Sequence, residues 1–163
     1  MIKPDKVILN QVKRRGDIIY GAQAMNKQMP PMLRRQSVDY DIFSRGNPKP
    51  AAVKMERRLD KSYGGDLFYV KPAQHPGTWK VMDKGQDGRM GTKDDFGIVD
   101  YSKKPRGIKT KKIGGINYVQ LQEIRKDKKK SLKDKESKFR HEKDRGDLEI
   151  MKNQRRLKRM RII

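Results

Sequence analysis

Two aspartates separated by one residue, Asp39 and Asp41, lie in the segment Ser37–Phe43, which is otherwise rich in β-branched and aromatic residues. Such a composition predicts a strand, yet aspartate is depleted in strands, and a local inconsistency of this kind often marks a functional site. Side chains at i and i+2 of a strand point to the same side, so both carboxylates can reach one hard cation. Mg²⁺ suits such a pair because it prefers oxygen ligands. The alternative is a pair of solvated aspartates on an edge strand.

Two further positions fit the same chemistry. Gly21 lies where a predicted strand, Asp17–Tyr20, turns into a predicted helix, and a glycine there lets the backbone N–H groups approach a phosphate. Asp100 is a single carboxylate inside the apolar strand predicted over Gly97–Tyr101. Taken alone, the glycine could serve only a tight turn, and the aspartate could be a hydrogen-bonded structural residue.

The order of these parts resembles the nucleotidyltransferase superfamily that includes DNA polymerase beta. That family carries Gly-Gly or Gly-Ser at the start of a helix, then a strand with Asp-x-Asp, then a third Asp on a neighbouring strand. Here the counterparts are Gly21-Ala22, the Asp39-x-Asp41 pair and Asp100. The second half is similar to small abortive-infection and toxin-type members, with an apolar segment at Val119–Ile124, the Lys128–Lys130 run and the Arg140–Asp147 motif, so the resemblance covers roughly Asp17 to Ile150.

The resemblance implies a fold, an activity and a set of site residues. Asp39, Asp41 and Asp100 would be catalytic and would bind two Mg²⁺ ions, with Asp100 also taking the proton from an attacking hydroxyl. The segment Gly21, Ala22 and Gln23 would approach the triphosphate. The implied reaction is transfer of a nucleotide from an NTP to a hydroxyl of an acceptor, expected to be RNA.

The composition favours a polyanionic partner and excludes several other classes of protein. The 163 residues carry 42 Lys and Arg against 20 Asp and Glu, a net charge of +22, for which nucleic acid is the natural ligand. With no cysteine, disulfides, thiolate nucleophiles and Cys-ligated zinc are excluded. No apolar run is long enough to span a bilayer and the N-terminus lacks a signal-peptide pattern, so we expect no membrane association and an intracellular protein, cytoplasmic or virion-associated.

The pattern of elements predicts an α/β or α+β domain with a mixed sheet, followed by long basic helices. We expect a nucleotidyltransferase-like domain over residues 1–121 and a basic helical extension over 122–163 that packs in part on it. Helices are predicted over Asp5–Arg15, from Gly21 to Gln28 and from Pro48 to Tyr63, and strands over Leu67–Val70 and Thr78–Met82.

Nine basic residues are predicted to contact nucleic-acid phosphates: Arg34, Arg35, Lys128, Lys129, Lys130, Lys133, Arg155, Arg156 and Lys158. The usual alternative for a charge run is a solvated helix face. The function also has an alternative, a non-enzymatic nucleic-acid-binding protein of a virion, nucleoid or ribonucleoprotein that keeps the fold. Separately, Asp83–Asp95 has the length of a calcium loop, although its charges favour a glycine-rich insertion.

Overall fold

Seven strands form one mixed β-sheet in the structure, a computed structural model that describes residues 3–163. Five α-helices accompany the sheet, and short 3-10 helices cover Pro31–Leu33 and Lys135–Arg140. In chain order the main elements are α1 (Pro4–Arg15), β1 (Ile18–Tyr20), α2 (Gly21–Lys27), β2 (Tyr40–Ser44), α3 (Pro48–Tyr63), β3 (Phe68–Pro72), β4 (Trp79–Asp83), β5 (Phe96–Lys103), β6 (Thr110–Ile113), β7 (Ile116–Val119), α4 (Leu121–Lys133) and α5 (His141–Arg159).

The sheet order is β3-β4-β5-β2-β1-β7-β6. Strand β2 lies at the centre, antiparallel to β1 and parallel to β5, while β7 is parallel to β1. The two ends of the sheet are antiparallel pairs, β3 with β4 and β6 with β7. The expected class, an α/β domain with a mixed sheet and long basic C-terminal helices, is confirmed.

Local signals account for the best-defined helix. Helix α3 begins at Pro48, after Asn47 accepts a hydrogen bond from the Lys49 N–H, and it ends before Gly64, whose φ of 73° is in the left-handed region. These are the bounds that the sequence predicts. The helix buries the small and apolar side chains Ala51, Ala52, Met55 and Leu59.

Helices α1 and α3 cover one face of the sheet. The Gln11 amide of α1 donates to the Ala51 carbonyl of α3 and to the Tyr101 hydroxyl of β5, each at 3.1 Å. Tyr101 therefore points to the helix-covered face, together with the buried Ile19 and Ile42, its partners in register on β1 and β2. Because side chains alternate along a strand, Asp100 points to the opposite face.

Two strand predictions are corrected by the structure. Strand β2 begins at Tyr40, so Asp39 precedes the strand instead of lying inside it. The side-chain amides of Gln23 and Asn26 donate hydrogen bonds to backbone carbonyls of residues 35–39. These hydrogen bonds take the place of those that a neighbouring strand would make. The β6–β7 hairpin is missing from the sequence-based prediction, because its outer strand is a lysine-rich edge.

Helices α4 and α5 pack against each other, and α4 also contacts α2. The buried Ile124 of α4 and Met151 of α5 belong to the same hydrophobic core as the sheet. The boundary between residues 121 and 122, with a separate extension over 122–163, stays a prediction. In the described chain, none of the helices is long and apolar enough to cross a membrane.

Candidate active site

A row of four polar side chains lies on the face of the sheet opposite to Tyr101, Ile42 and Ile19. Strand pairing places Tyr20 opposite Asp41, Asp41 opposite Asp100, and Asp100 opposite Lys80. Residues in register on adjacent strands share a face, so the four side chains lie side by side. We call these residues the acid row. The parallel β2–β5 pairing, which joins strands distant in sequence, is what brings Asp41 next to Asp100.

Asp41 is the most perturbed carboxylate of the row. Burial raises its pKa to about 6, and the negative charges of Asp39 and Asp100 act in the same direction. Lys143 and Arg140 oppose this rise only in part. Two like charges near a half-buried carboxylate form an electrostatic environment that a cation would relieve.

Asp39 lies at the entrance to β2 and is exposed. Its Oδ1 accepts a hydrogen bond of 3.2 Å from the Ser37 hydroxyl. Although Asp39 and Asp100 are close enough to raise the pKa of Asp41, the three carboxylates do not converge within 4.8 Å of one another, as the members of two other acidic groups in the described chain do. The structure therefore brings the predicted residues to one place without closing them into a tight cluster.

Asp100 has a basic partner that the sequence analysis does not anticipate. The Lys80 Nζ lies 3.0 Å from the Asp100 Oδ2, and both side chains are partly exposed. The sequence predicts a strand at Thr78–Met82, but the pairing of β4 with β5 depends on the fold. At this exposure the ion pair is worth about 0–1 kcal/mol, so a ligand can displace it.

Gly21 lies against Asp41. Its φ is 65°, and a Cβ atom at position 21 would overlap the Oδ2 atom of Asp41. Glycine is therefore needed twice here, for the left-handed backbone and for the space beside the carboxylate. This contact connects the start of α2 to the acid row.

Ala22 and Gln23 have structural roles in this arrangement. Ala22 is buried, and the Gln23 amide nitrogen donates to the carbonyls of Ser37 and Asp39 at 3.0 and 3.3 Å. The Gln23 side chain is thus engaged in holding the segment before β2, and the approach of Gly21, Ala22 and Gln23 to a triphosphate stays a prediction.

The first turn of α5 and the residue before it supply positive charge near the acid row. Arg140 and Lys143 both act on the pKa of Asp41, and both side chains are exposed. They belong to the Arg140–Asp147 motif noted in the sequence, which assigns them no role of their own. Their i, i+3 spacing is the signal that could identify them.

A buried ion-pair network connects the C-terminal helices to the segment before β2. Lys128 of α4 contacts Asp144 at 3.0 Å and Asp147 at 2.7 Å, both on α5. Asp147 in turn accepts two hydrogen bonds from the Arg35 guanidinium, at 2.6 and 3.2 Å. We call Arg35, Lys128, Asp144 and Asp147 the buried network. It fixes α5, and hence Arg140 and Lys143, relative to residues 34–39.

The buried network corrects one expected phosphate contact and alters a second. Lys128 is only 5% exposed and cannot reach a nucleic acid. The Arg35 guanidinium is engaged by Asp147. The other predicted phosphate-binding residues are exposed, namely Arg34, Lys129, Lys130, Lys133, Arg155, Arg156 and Lys158.

The glycine-rich insertion between β4 and β5 holds a separate acidic group. Carboxylate oxygens of Asp87, Asp94 and Asp95 lie within 4.8 Å of one another. Their oxygens accept hydrogen bonds from the backbone N–H groups of Gln86, Asp87, Arg89 and Gly91 and from the Thr92 hydroxyl. The loop is therefore organised by its own hydrogen bonds, which supports the interpretation as a glycine-rich insertion.

Comparison with solved structures identifies the fold. No protein-family profile and no curated protein matches this sequence. The structure is similar to the Megavirus polyadenylate synthase, with a TM-score of 0.74 and 21% identity over 93% of this chain. JHP933 from Helicobacter pylori matches with a TM-score of 0.46 and 16% identity, over 76% of this chain and 53% of its own.

The present chain spans 30% of the length of the megavirus enzyme. At this identity the likeness concerns the fold. The order Gly21, Asp41, Asp100 on α2, β2 and β5 is the order that the family resemblance implies. The chain therefore has a nucleotidyltransferase-like fold.

Proposed function

We propose that the protein is a metal-dependent nucleotidyltransferase that transfers a nucleotide from an NTP to a hydroxyl of an acceptor RNA. The observation that carries the proposal is the acid row, in which Asp41 lies between Gly21 and Asp100 on a nucleotidyltransferase-like sheet. The likeness to a polyadenylate synthase supports a polynucleotide acceptor.

The carboxylates fit magnesium. Asp39, Asp41 and Asp100 offer hard oxygen donors, and the charges of Asp39 and Asp100 add to the effect of burial in raising the pKa of Asp41. We assign these three residues as ligands of two Mg²⁺ ions. When bound, the ions would neutralise the triphosphate and stabilise the attacking and leaving oxygens of an in-line displacement.

The remaining chemistry falls to residues of the chain itself. The acceptor hydroxyl oxygen attacks the α-phosphorus, the bond to the pyrophosphate breaks, and the hydroxyl proton passes to the Asp100 carboxylate. Gly21 leaves room for the Asp41 carboxylate, since the Cβ atom of any larger residue would overlap its Oδ2 atom, and the Gly21 backbone would lie beside the triphosphate. Arg140 and Lys143, whose charges both act on Asp41, would balance negative charge on the reacting phosphates.

The acceptor RNA is assigned to the basic surface of α4 and α5. The exposed lysines and arginines of these helices carry charge that phosphates would neutralise. Arg125 and Arg155 add a specific indication, because burial and the charge of Arg155 both lower the pKa of Arg125. A phosphate between two like charges would relieve that repulsion.

The decisive test is incubation with each labelled NTP, Mg²⁺ and RNA, followed by detection of label in the RNA. Gly21→Ala should abolish incorporation because its methyl group displaces Asp41. Gly64→Ala is the matched control, since Gly64 has a similar φ of 73° but nothing within 4 Å of its Cβ position. Equal activity of the two variants would contradict the assigned role of Gly21.

A second candidate is the non-enzymatic nucleic-acid-binding protein, which is favoured by the Lys80–Asp100 ion pair. In that case Lys80 would occupy permanently the position of a metal ion. The protein would bind RNA without incorporating label, and Lys80→Met would change neither property. Under the enzymatic proposal, Lys80→Met should strengthen Mg²⁺ binding by removing a competitor for Asp100.

A further inference from the structure

A pocket of about 490 Å³ opens beside the acid row, between the segment before β2 and the start of β5. Asp39 and Val38 line one side, Phe96 and Gly97 line the other, and Lys143 of α5 borders it. Its size is within the range of small-molecule sites, and it combines apolar walls with a few charged groups.

The apolar walls of the pocket are unusually exposed. Val38 is 72% exposed and precedes Asp39, while Phe96 is 45% exposed although it begins strand β5. Gly97 next to Phe96 adds no side chain of its own to the lining. A planar ligand with apolar faces would cover both walls, and an aromatic ring presented in this way is typical of nucleobase stacking.

The position of the pocket relative to Asp41 indicates which nucleobase it would bind, that of the incoming NTP or that of the acceptor's terminal nucleotide. Gly21 approaches Asp41 from the β1 side of β2, whereas Phe96 and Gly97 belong to β5 on the other side. In an in-line displacement the leaving and attacking groups lie on opposite sides of the phosphorus. With the phosphates at Gly21, the attacking hydroxyl comes from the β5 side, where Asp100 and the pocket lie.

We infer that this pocket binds the base of the acceptor's terminal nucleotide, stacked on Phe96 and packed against Val38. This inference rests on the proposed function and adds the position of the acceptor end to it. Lys143 contributes positive charge beside the nucleotide's phosphate. Phe96 is thus a binding residue for the acceptor, and the identity of the NTP is selected elsewhere.

The test uses Phe96→Ala, Phe96→Trp and the control Phe139→Ala, whose side chain is 77% exposed and does not line the pocket. The KM for a short RNA and the KM for the NTP are measured separately, each with the other substrate saturating. Phe96→Ala should raise the KM for RNA by about 10- to 100-fold and leave the KM for NTP within about twofold. Phe96→Trp should retain wild-type values, and Phe139→Ala should change neither.

Two results would overturn the inference. A rise in the KM for NTP alone would assign the pocket to the incoming base, and unchanged values for both substrates would show that no base stacks there. If the wild type transfers no nucleotide, the proposed function fails but the pocket can still be judged. Fluorescence anisotropy of the labelled RNA, without NTP or Mg²⁺, then compares wild type with Phe96→Ala, and equal affinities would refute the pocket.

Discussion

The acid row and the buried network both gather aspartates, but they balance charge in opposite ways. In the buried network, Asp144 and Asp147 are met by Lys128 and Arg35, so two negative charges face two positive ones at 2.6–3.0 Å. In the acid row, Asp41 has Asp100 as its neighbour and Asp39 nearby, and its pKa rises to about 6. The comparison separates charges arranged for stability from charges kept available for a ligand.

This difference predicts that loss of a charge changes the free energy of unfolding in opposite directions in the two regions. Removing a charge from the buried network leaves its partners buried and unpaired, which is costly. Removing a charge from the acid row relieves repulsion and should stabilise the metal-free protein while destroying its chemistry. Loss of activity with a gain in stability is the expected signature of a site that is strained for function.

The largest expected effect is that of Asp41→Asn on activity. Nucleotide transfer should fall by about 1000-fold or more, because the amide cannot bind the metal ions that supply several kcal/mol of transition-state stabilisation. At neutral pH without Mg²⁺, the free energy of unfolding should increase by roughly 1–3 kcal/mol. Activity is followed by label incorporation and stability by urea unfolding. Asp127→Asn, an exposed position on α4, serves as the control and should change neither.

The buried network gives the next largest effect. Asp147→Asn should lower the free energy of unfolding by about 3–5 kcal/mol, because Lys128 and Arg35 lose a charged partner inside the protein. Glu149→Gln, two residues away, affects only an exposed pair 3.8 Å from Lys152 and should cost less than about 1 kcal/mol. Equal effects of the two variants would show that the network contributes nothing specific.

The pH dependence of stability provides a smaller effect whose sign is fixed by Asp41. Its pKa is raised from 3.8 to about 6 on folding, so between these values the folded state binds more protons than the unfolded state. The Asp41 contribution to the free energy of unfolding must therefore fall as the pH rises from about 4 to 6 and stay constant above. The difference between Asp41→Asn and wild type, measured by urea unfolding without Mg²⁺, should grow over this range. A difference independent of pH would contradict the raised pKa.

The smallest expected effect per residue concerns RNA binding. Changing Lys129, Lys130 and Lys133 to Gln should flatten the dependence of log K on log salt, by about 0.7 for each phosphate of single-stranded RNA that the variant no longer neutralises. Lys61→Gln, exposed on α3 across the sheet, is the control and should leave the slope unchanged. If the triple variant keeps the wild-type slope, these lysines face solvent and the RNA binds elsewhere.

The sequence predicts well the bounds of elements that are determined by residues close together in the chain. The bounds of α3 follow from Asn47, Pro48 and Gly64, all of which act through the local backbone. The predicted start of β2 is too early because Val38 and Asp39 continue the strand-like pattern. What keeps them out of the strand is a set of hydrogen bonds from α2, and these depend on how α2 lies in the folded protein.

Lys128 is a second case in which contacts between distant parts of the chain decide what the sequence pattern does not. Lys128, Lys129 and Lys130 are identical residues in one run, and only Lys128 is buried. Its spacing from the buried Ile124 and Ser131 follows a helix face, so the pattern alone could place it inward. The reason it is tolerated there lies on α5, since Asp144 and Asp147 come from a different helix.

The link between Arg35 and Asp147 also has a consequence for the order in which the protein is built. The two residues are 112 positions apart, and α5 is synthesised after all seven strands of the sheet described here. Strands β1, β2 and β5 and the carboxylates on them are complete much earlier. During synthesis we therefore expect the sheet and its contacts with α2 to form first, so that Arg140 and Lys143 come to lie near the acid row only when α5 docks.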